Sequence, residues 1–134
     1  MPSAIRTAVL GLSLSAAFQA GALASADQDI PIAEWREMTE GRIVWYSIDG
    51  RHWGREYFHP GGRTATFVAA DGTCMTTSWT YANGVYCFAY GGLDCFRHVR
   101  RDGVMLAIPT SNGTAQTIDR ITEGVLSCGD PLSS

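Results

Sequence analysis

Residues 79–88 read WTYANGVYCF, and this stretch decides the fold of the chain. At its centre, Asn83-Gly84 accepts the positive φ angles that a two-residue hairpin turn requires. A two-residue loop sets Trp79 opposite Phe88 on the neighbouring strand, and Tyr81 opposite Tyr86. Because side chains alternate across a strand, the four rings share one face of the predicted hairpin with Met75 and Tyr90. Aromatic rings supply much of the burial energy of small β domains, so this face is predicted to be core, with the lining of a cavity as the alternative.

Further turn signals recur at short, even intervals on both sides of this hairpin. They are Asp49-Gly50, Pro60-Gly61-Gly62, Asp71-Gly72, Gly91-Gly92, Asp102-Gly103 and Asn112-Gly113. The β-prone runs between the turns cover residues 42–47, 55–59, 64–69, 73–81, 84–90, 94–100, 104–108 and 115–121. Strands at this spacing, joined by short connections, predict an all-β fold. We expect a small antiparallel up-and-down barrel, a lipocalin-like meander of about eight strands, with a β-sandwich as the alternative.

A short N-terminal helix is predicted before the strands, over residues 31–40. Pro31 suits a first helical position, and Gly41 suits the residue just past a helix end. Apolar residues recur at a spacing of three and form one stripe. These residues are Ile32, Trp35 and Met38.

Residues 1–26 are interpreted as a secretory signal peptide. Arg6 precedes an apolar run over residues 8–23, and the run ends in Ala24-Ser25-Ala26, a pattern of small residues typical of a cleavage site. Cleavage there leaves residues 27–134, which we expect to form a single β-barrel domain. The mature chain is therefore predicted to be periplasmic or secreted, with no membrane span after cleavage of the signal.

The charge balance of the mature chain is acidic. All ten basic residues are arginines, and without Arg6 nine remain against thirteen acidic residues. Nucleic-acid binding needs a basic face that displaces phosphate counterions, so this balance argues against a nucleic-acid partner. The expected partner is therefore an unidentified small ligand or a periplasmic protein.

The four cysteines are predicted to form two disulfides. A turn centred on Gly91 sets Cys87 opposite Cys95, at a separation that a disulfide can bridge. The remaining pair, Cys74 and Cys128, would tie the C-terminal tail to a central strand. Zinc sites usually show close Cys-x-x-Cys or histidine pairs, and these spacings do not match, so neither a metal nor another cofactor is predicted.

Glu56 stands in the middle of a predicted strand, among aromatic residues. A carboxylate in such a place more often forms an ion pair, and we expect one with Arg42, Arg63 or Arg97. The alternative is a buried carboxyl group with a raised pKa that is suited to acid–base chemistry.

The histidines allow a metal or acid–base constellation, but their pattern is weak. His52 and His59 flank the run that contains Glu56, while the alternative places His52 in a solvated loop and His59 at a strand end. His98 stands in a local basic cluster. No nucleophile elbow and no phosphate-binding glycine loop is present in the sequence, so no catalytic residue is predicted.

The chain contains several short motifs, which are Gly54-x-Glu56-x-Phe58-x-Pro60, Asp71-Gly72-Thr73-Cys74, Trp79, Tyr86-Cys87-Phe88-x-Tyr90, Cys95-Phe96 and Leu126-Ser127-Cys128. In these motifs the chain resembles a group of small exported alphaproteobacterial proteins that contain disulfides and have no known activity. The resemblance covers most of residues 35–128. It implies a single β domain held by disulfides, and it implies no activity. In size, export and barrel fold only, the chain is also similar to periplasmic inhibitors of secreted metalloproteases.

Three functions remain open. The first is a non-enzymatic binding or envelope-associated module, and the second is a protease inhibitor that inserts residues 27–32 into its target. The third is a small hydrolase or metal enzyme that uses Glu56 and a histidine. The candidate ligand or partner surface consists of Trp45, Glu56, Tyr57, Trp79 and Phe88.

Overall fold

The structure is a computed structural model that describes residue 15 and residues 26–129. The predicted signal peptide lies outside the described residues, apart from Ser15 and Ala26. The helix α1 spans Ile32–Thr39, and the strands are β1 (Gln28–Asp29), β2 (Arg42–Ile48), β3 (Arg51–Phe58), β4 (Thr64–Ala69), β5 (Cys74–Ala82), β6 (Val85–Phe88), β7 (Asp94–Arg101), β8 (Val104–Pro109) and β9 (Gln116–Glu123). Within this part of the chain, no helix combines the length and the apolar content that crossing a membrane requires.

Strands β2 to β9 form a closed antiparallel barrel. Each strand pairs with the next one along the chain, and β9 pairs back with β2 over Arg42 to Ser47. Closure leaves no free sheet edge among these eight strands. The predicted all-β, up-and-down barrel with a short N-terminal helix is therefore confirmed.

The hairpin at residues 79–88 has the register that the sequence predicts. Trp79 pairs with Phe88, and Tyr81 pairs with Tyr86. The turn residue Asn83 has a φ of 50° and Gly84 a φ of 81°, as a two-residue hairpin requires. The aromatic face points into the barrel, where Trp79, Tyr86 and Phe88 are buried.

The helix closes one end of the barrel. Trp35 has no exposed surface, and its ring lies 5.6 Å from the ring of Phe58 and 6.1 Å from that of Tyr86. At the end of the helix, the amide of Gly41 donates a hydrogen bond of 2.7 Å to the carbonyl oxygen of Phe58. The three turns at this end are residues 59–63, 83–84 and 102–103, and the opposite end is formed by the other four hairpin connections.

The start of β3 differs from the prediction. The strand begins at Arg51 and not at residue 55, because Asp49 and Gly50 have φ angles of 50° and 74° and make a tight turn between paired Ile48 and Arg51. The alternative that places His52 in a solvated loop is therefore wrong, because His52 lies in β3. The ladder then contains a bulge, since Ser47 pairs with His52 but Tyr46 pairs with Gly54. Trp53 is the extra residue, and the bulge changes which side chains face inward.

The C-terminal tail covers part of the outer wall. Leu126 is 3% exposed and packs with Ile43, Tyr57 and Val68 on the outside of β2, β3 and β4. The disulfide Cys74–Cys128 fixes this tail, and the second disulfide, Cys87–Cys95, joins directly paired residues of β6 and β7. Both predicted pairings are confirmed.

Gly54 leaves room for the ring of Phe67, which packs over the backbone of β3. A Cβ atom at this position would overlap that ring and would lie 3.0 Å from the carbonyl oxygen of Val68. We expect Gly54→Ala to lower the free energy of unfolding by about 1–3 kcal/mol, the usual effect of overpacking. Urea denaturation measures this change. Gly62→Ala is the matched control, because nothing lies within 4 Å of its added Cβ. Equal stabilities of the two variants would contradict the expectation.

Candidate functional site

A cavity of about 700 Å³ occupies the half of the barrel away from the helix. Its lining comes from the barrel interior and from three of the four hairpin connections of that end, those after β4, β6 and β8. These residues include Tyr46, Ile48, Trp53, Glu56, Phe67, Ala69, Asp71, Thr73, Met75, Phe88, Tyr90, Asp94, Phe96, His98, Ala107, Pro109, Asn112 and Gln116. The volume lies within the range of small-molecule sites, and most of the lining is apolar or aromatic, as such sites usually are.

The predicted aromatic face thus has two environments. Trp79 and Tyr86 pack in the closed end against the rings of Phe58 and Trp35, whereas Phe88 and Tyr90 line the cavity. The prediction that the face is core is therefore correct for Trp79 and Tyr86. The alternative, that it lines a cavity, is correct for Phe88 and Tyr90.

Glu56 is the buried carboxyl group of the cavity. It is 5% exposed, and each of its oxygens accepts one tyrosine hydrogen bond. Tyr46 donates to Oε1 at 3.0 Å, and Tyr90 donates to Oε2 at 2.8 Å. Burial raises the pKa of Glu56 to about 7, although the two hydrogen bonds partly oppose that shift. The alternative, a buried carboxyl group with a raised pKa, is therefore the correct one.

The favoured interpretation, an ion pair between Glu56 and an arginine, is wrong. Arg42 pairs with Glu123, and Arg97 pairs with Asp29. Arg63 lies over the ring of Trp79, at 5.3 Å from the ring centroid. All three guanidinium groups therefore have other partners, and tyrosine hydroxyls take the place next to the carboxyl.

The two tyrosine hydroxyls remain protonated near neutral pH and can therefore donate to Glu56. Burial, with a further contribution from the nearby Glu56 carboxylate, raises the pKa of Tyr46 well above 10.0. The same two causes, in the same order, raise the pKa of Tyr90. Both hydroxyls therefore stay protonated and hold the carboxyl group of Glu56 in one orientation.

His98 is the histidine that contributes to the cavity lining. It is 2% exposed, and its ring lies 3.9 Å from that of Trp35 and 4.3 Å from that of Tyr86. Burial lowers its pKa to about 3, so the imidazole is neutral at physiological pH. Its Nδ1 atom has no hydrogen-bond partner among the described residues.

His52 and His59 lie on the outside of the barrel, away from Glu56. His52 is exposed, with its ring 5.7 Å from that of Trp45. Nε2 of His59 shares a hydrogen bond of 2.8 Å with Oγ1 of Thr66 on the outer face. Within residues 26–129, no group of three or more histidine, cysteine, aspartate or glutamate side chains is placed to hold a metal ion. The constellation of these two histidines with Glu56 is therefore wrong.

The structure separates the five residues of the predicted surface. Glu56 and Phe88 line the cavity, and Trp79 is buried in the closed end. Trp45 and Tyr57 face outward, where Trp45 donates a hydrogen bond of 2.8 Å to Thr122 and Tyr57 packs under the C-terminal tail. The set is therefore not one continuous surface.

Sequence reasoning missed Tyr46 as a functional residue. It lies on β2 and donates to Glu56 across the β2–β3 hairpin, and side-chain alternation does not reveal this contact because the bulge at Trp53 shifts the register. Tyr90 belongs to the aromatic face, but its contact with Glu56 spans 34 positions and depends on barrel closure.

The mouth of the cavity has apolar residues beside carboxylates. Trp53 is 46% exposed near the start of β3, and Leu93 is 74% exposed in the connection between β6 and β7 at the same end of the barrel. Asp71 and Asp94 line the cavity near the same end. The entrance thus offers apolar contact together with negative charge.

Comparison of the chain with protein-family models, with curated proteins and with solved structures finds no match in any of the three.

Proposed function

We propose that this protein is a non-enzymatic binding module that holds a small, largely apolar ligand in the barrel. The observation that carries the proposal is the cavity, which is closed at one end by Trp35 and reached from the other. Its volume of about 700 Å³ would hold a ligand of drug-like size. Most wall groups are apolar, while Glu56 and its two tyrosine partners supply a fixed polar point. This combination is typical of a site that binds its ligand by burying apolar surface and orients the ligand through one polar contact.

The proposal places the protein in the periplasm or outside the cell, with residues 27–134 as a single domain. Two disulfides support an oxidising compartment, because thiols stay reduced in the cytosol of most organisms. The signal-peptide pattern of residues 1–26 supports export.

The position of the N-terminal segment favours ligand binding over inhibition by insertion. Gln28 and Asp29 pair with β7, and Ile30 is 2% exposed in the main core. Asp29 also pairs with Arg97, and Asp27 pairs with Arg101. Insertion of residues 27–32 into a protease would require the loss of these contacts.

The surroundings of Glu56 favour binding over hydrolysis. The histidine of the same cavity, His98, has a pKa of about 3 and therefore cannot take a proton near neutral pH. Both oxygens of Glu56 already accept hydrogen bonds that fix its position. A fixed carboxyl with a neutral histidine nearby suits recognition of a ligand.

A neutral, polarity-sensitive dye such as Nile red tests the proposal. We expect the dye to bind the wild-type protein, and we expect Ala69→Trp to weaken its binding at least about tenfold, since the new ring fills the cavity. Ala82→Trp is the matched control, because Ala82 is exposed at the closed end. The measurement is a fluorescence titration, with thermal unfolding to show that both variants fold. Absence of dye binding to the wild type, or equal loss in both variants, would contradict the proposal.

A further inference from the structure

We infer that the ligand is an organic cation with an apolar body, and that its charged nitrogen lies against Glu56 among the aromatic rings of the cavity. This inference rests on the proposed function and specifies the chemical class of its ligand. Three independent features of the cavity support it: the charge of its lining, the placement of its aromatic rings and the free acceptor positions of Glu56.

The charged side chains that line the cavity are all acidic. The described residues that line the cavity include three carboxylates, those of Glu56, Asp71 and Asp94, and no arginine. The chain contains ten basic residues, all of them arginines, so their absence from the described lining is a property of the site and not of the composition. An anionic ligand such as a fatty acid would meet like charges and no counter-ion there. Such a ligand is disfavoured, and a cation is favoured.

Aromatic rings surround the carboxyl group. Tyr90, which donates to Glu56, lies 5.6 Å from the ring of Phe67 and 5.6 Å from that of Phe88. The ring of Phe96 lies a further 6.3 Å from that of Phe88. The faces of aromatic rings attract cations, and the attraction grows when water is excluded. Aromatic rings next to a carboxylate are a recurrent way to bind ammonium groups.

Glu56 keeps acceptor capacity for a ligand. An ionised carboxyl group has about four acceptor positions, and Tyr46 and Tyr90 use one on each oxygen. The remaining positions can accept from a protonated amine or lie against a quaternary ammonium group. Since both tyrosines hold the carboxyl group in place, a ligand would meet a site that needs little rearrangement.

The groups around Glu56 make cation binding depend on pH. Tyr46 faces it from β2 and Tyr90 from the connection after β6, and both remain neutral. His98 on β7 is also neutral, and Asp71 and Asp94 lie toward the mouth. The pKa of Glu56 is raised to about 7, so protons compete with the cation below that pH. We expect affinity for a cation to fall about tenfold between about pH 8 and about pH 6.

Phenyltrimethylammonium and tert-butylbenzene form a matched pair of probes, because they share one shape and differ in charge. Titration of each probe, followed by NMR chemical shifts of the protein, gives its dissociation constant. We expect wild-type protein to bind the cation at least about tenfold more tightly than its neutral isostere at about pH 8. We expect Glu56→Gln to weaken cation binding about 10- to 100-fold and to leave binding of the neutral isostere within about twofold.

Glu123→Gln is the control variant, because this carboxylate is exposed at the closed end of the barrel. It should leave both affinities unchanged. Equal affinity for the two isosteres, or tight binding of Nile red with no binding of the cation, would overturn the inference while the proposed function stands. Failure of Nile red and both isosteres to bind would overturn the proposed function itself. If Glu56→Gln does not fold, the isostere comparison and the pH series on the wild type still decide between these outcomes.

Discussion

Lowering the pH from 6.5 to 3 should lower the free energy of unfolding by about 4 kcal/mol through His98 alone. In the unfolded chain this imidazole has its ordinary pKa of 6.5, whereas burial lowers the pKa to about 3 in the folded barrel. Below pH 6.5 the unfolded state therefore binds a proton that the folded state excludes. The stabilisation is complete above that pH and is lost as the pH falls toward 3.

The variant His98→Phe isolates this contribution. A phenyl ring keeps the stack with Trp35 and Tyr86 but cannot titrate. Urea denaturation across the acid range should show a pH dependence in the wild type that the variant lacks, and the exposed control His52→Gln should keep it. Parallel pH profiles for wild type and His98→Phe would contradict the assignment.

Glu56 changes the free energy of unfolding with pH in the opposite direction to His98. The contribution of His98 is therefore measured as the difference between the wild type and the variant. The pKa of Glu56 is raised from 4.5 to about 7, so its contribution is present below pH 4.5 and is lost as the pH rises to 7. Both His98→Phe and the wild type retain this group, and its effect cancels between them.

Removal of the Cys74–Cys128 disulfide should lower the unfolding free energy by about 4 kcal/mol. The bridge spans 54 positions, so its loss frees a long loop in the unfolded chain. It also releases the tail that carries Leu126 against the outer wall of β2, β3 and β4. The double variant Cys74→Ser/Cys128→Ser, measured by urea denaturation, gives the change.

The Cys87–Cys95 bridge provides the matched control. It spans only 8 positions, and Cys87→Ser/Cys95→Ser should cost about 2.5 kcal/mol, because a shorter loop is freed. A larger loss for this pair than for the 54-position bridge would contradict the account of the tail.

Features that depend on near neighbours in the chain could be predicted from the sequence. Asn83-Gly84 fixes the hairpin register because its turn conformation admits few residue types. Cys87 and Cys95 could be paired for the same reason, since one short turn separates them. The remaining pair of cysteines, Cys74 and Cys128, then followed by elimination.

The face on which Glu56 lies could not be predicted in this way. An uninterrupted ladder from the turn at residues 49–50 would pair Glu56 with Ile43, on the face that carries Trp45. The bulge at Trp53 instead pairs Glu56 with Val44 and turns the carboxyl group inward. A shift of one residue exchanges the two faces of a strand, and nothing in the local sequence marks this bulge.

Contacts that form only when the barrel closes could also not be predicted from the sequence. Tyr90 meets Glu56 across three intervening strands, and His98 joins the same lining from β7. Their convergence depends on the tilt and stagger of all eight strands, which the hydrophobic pattern of one strand does not specify.

Nuclear Overhauser effects between the methyl protons of bound phenyltrimethylammonium and the protein show directly whether the cation lies in the barrel. We expect contacts with the rings of Phe88 and Tyr90, inside the barrel and next to Glu56. Contacts with Trp45 or Tyr57 on the outer face, with none to the interior rings, would contradict it.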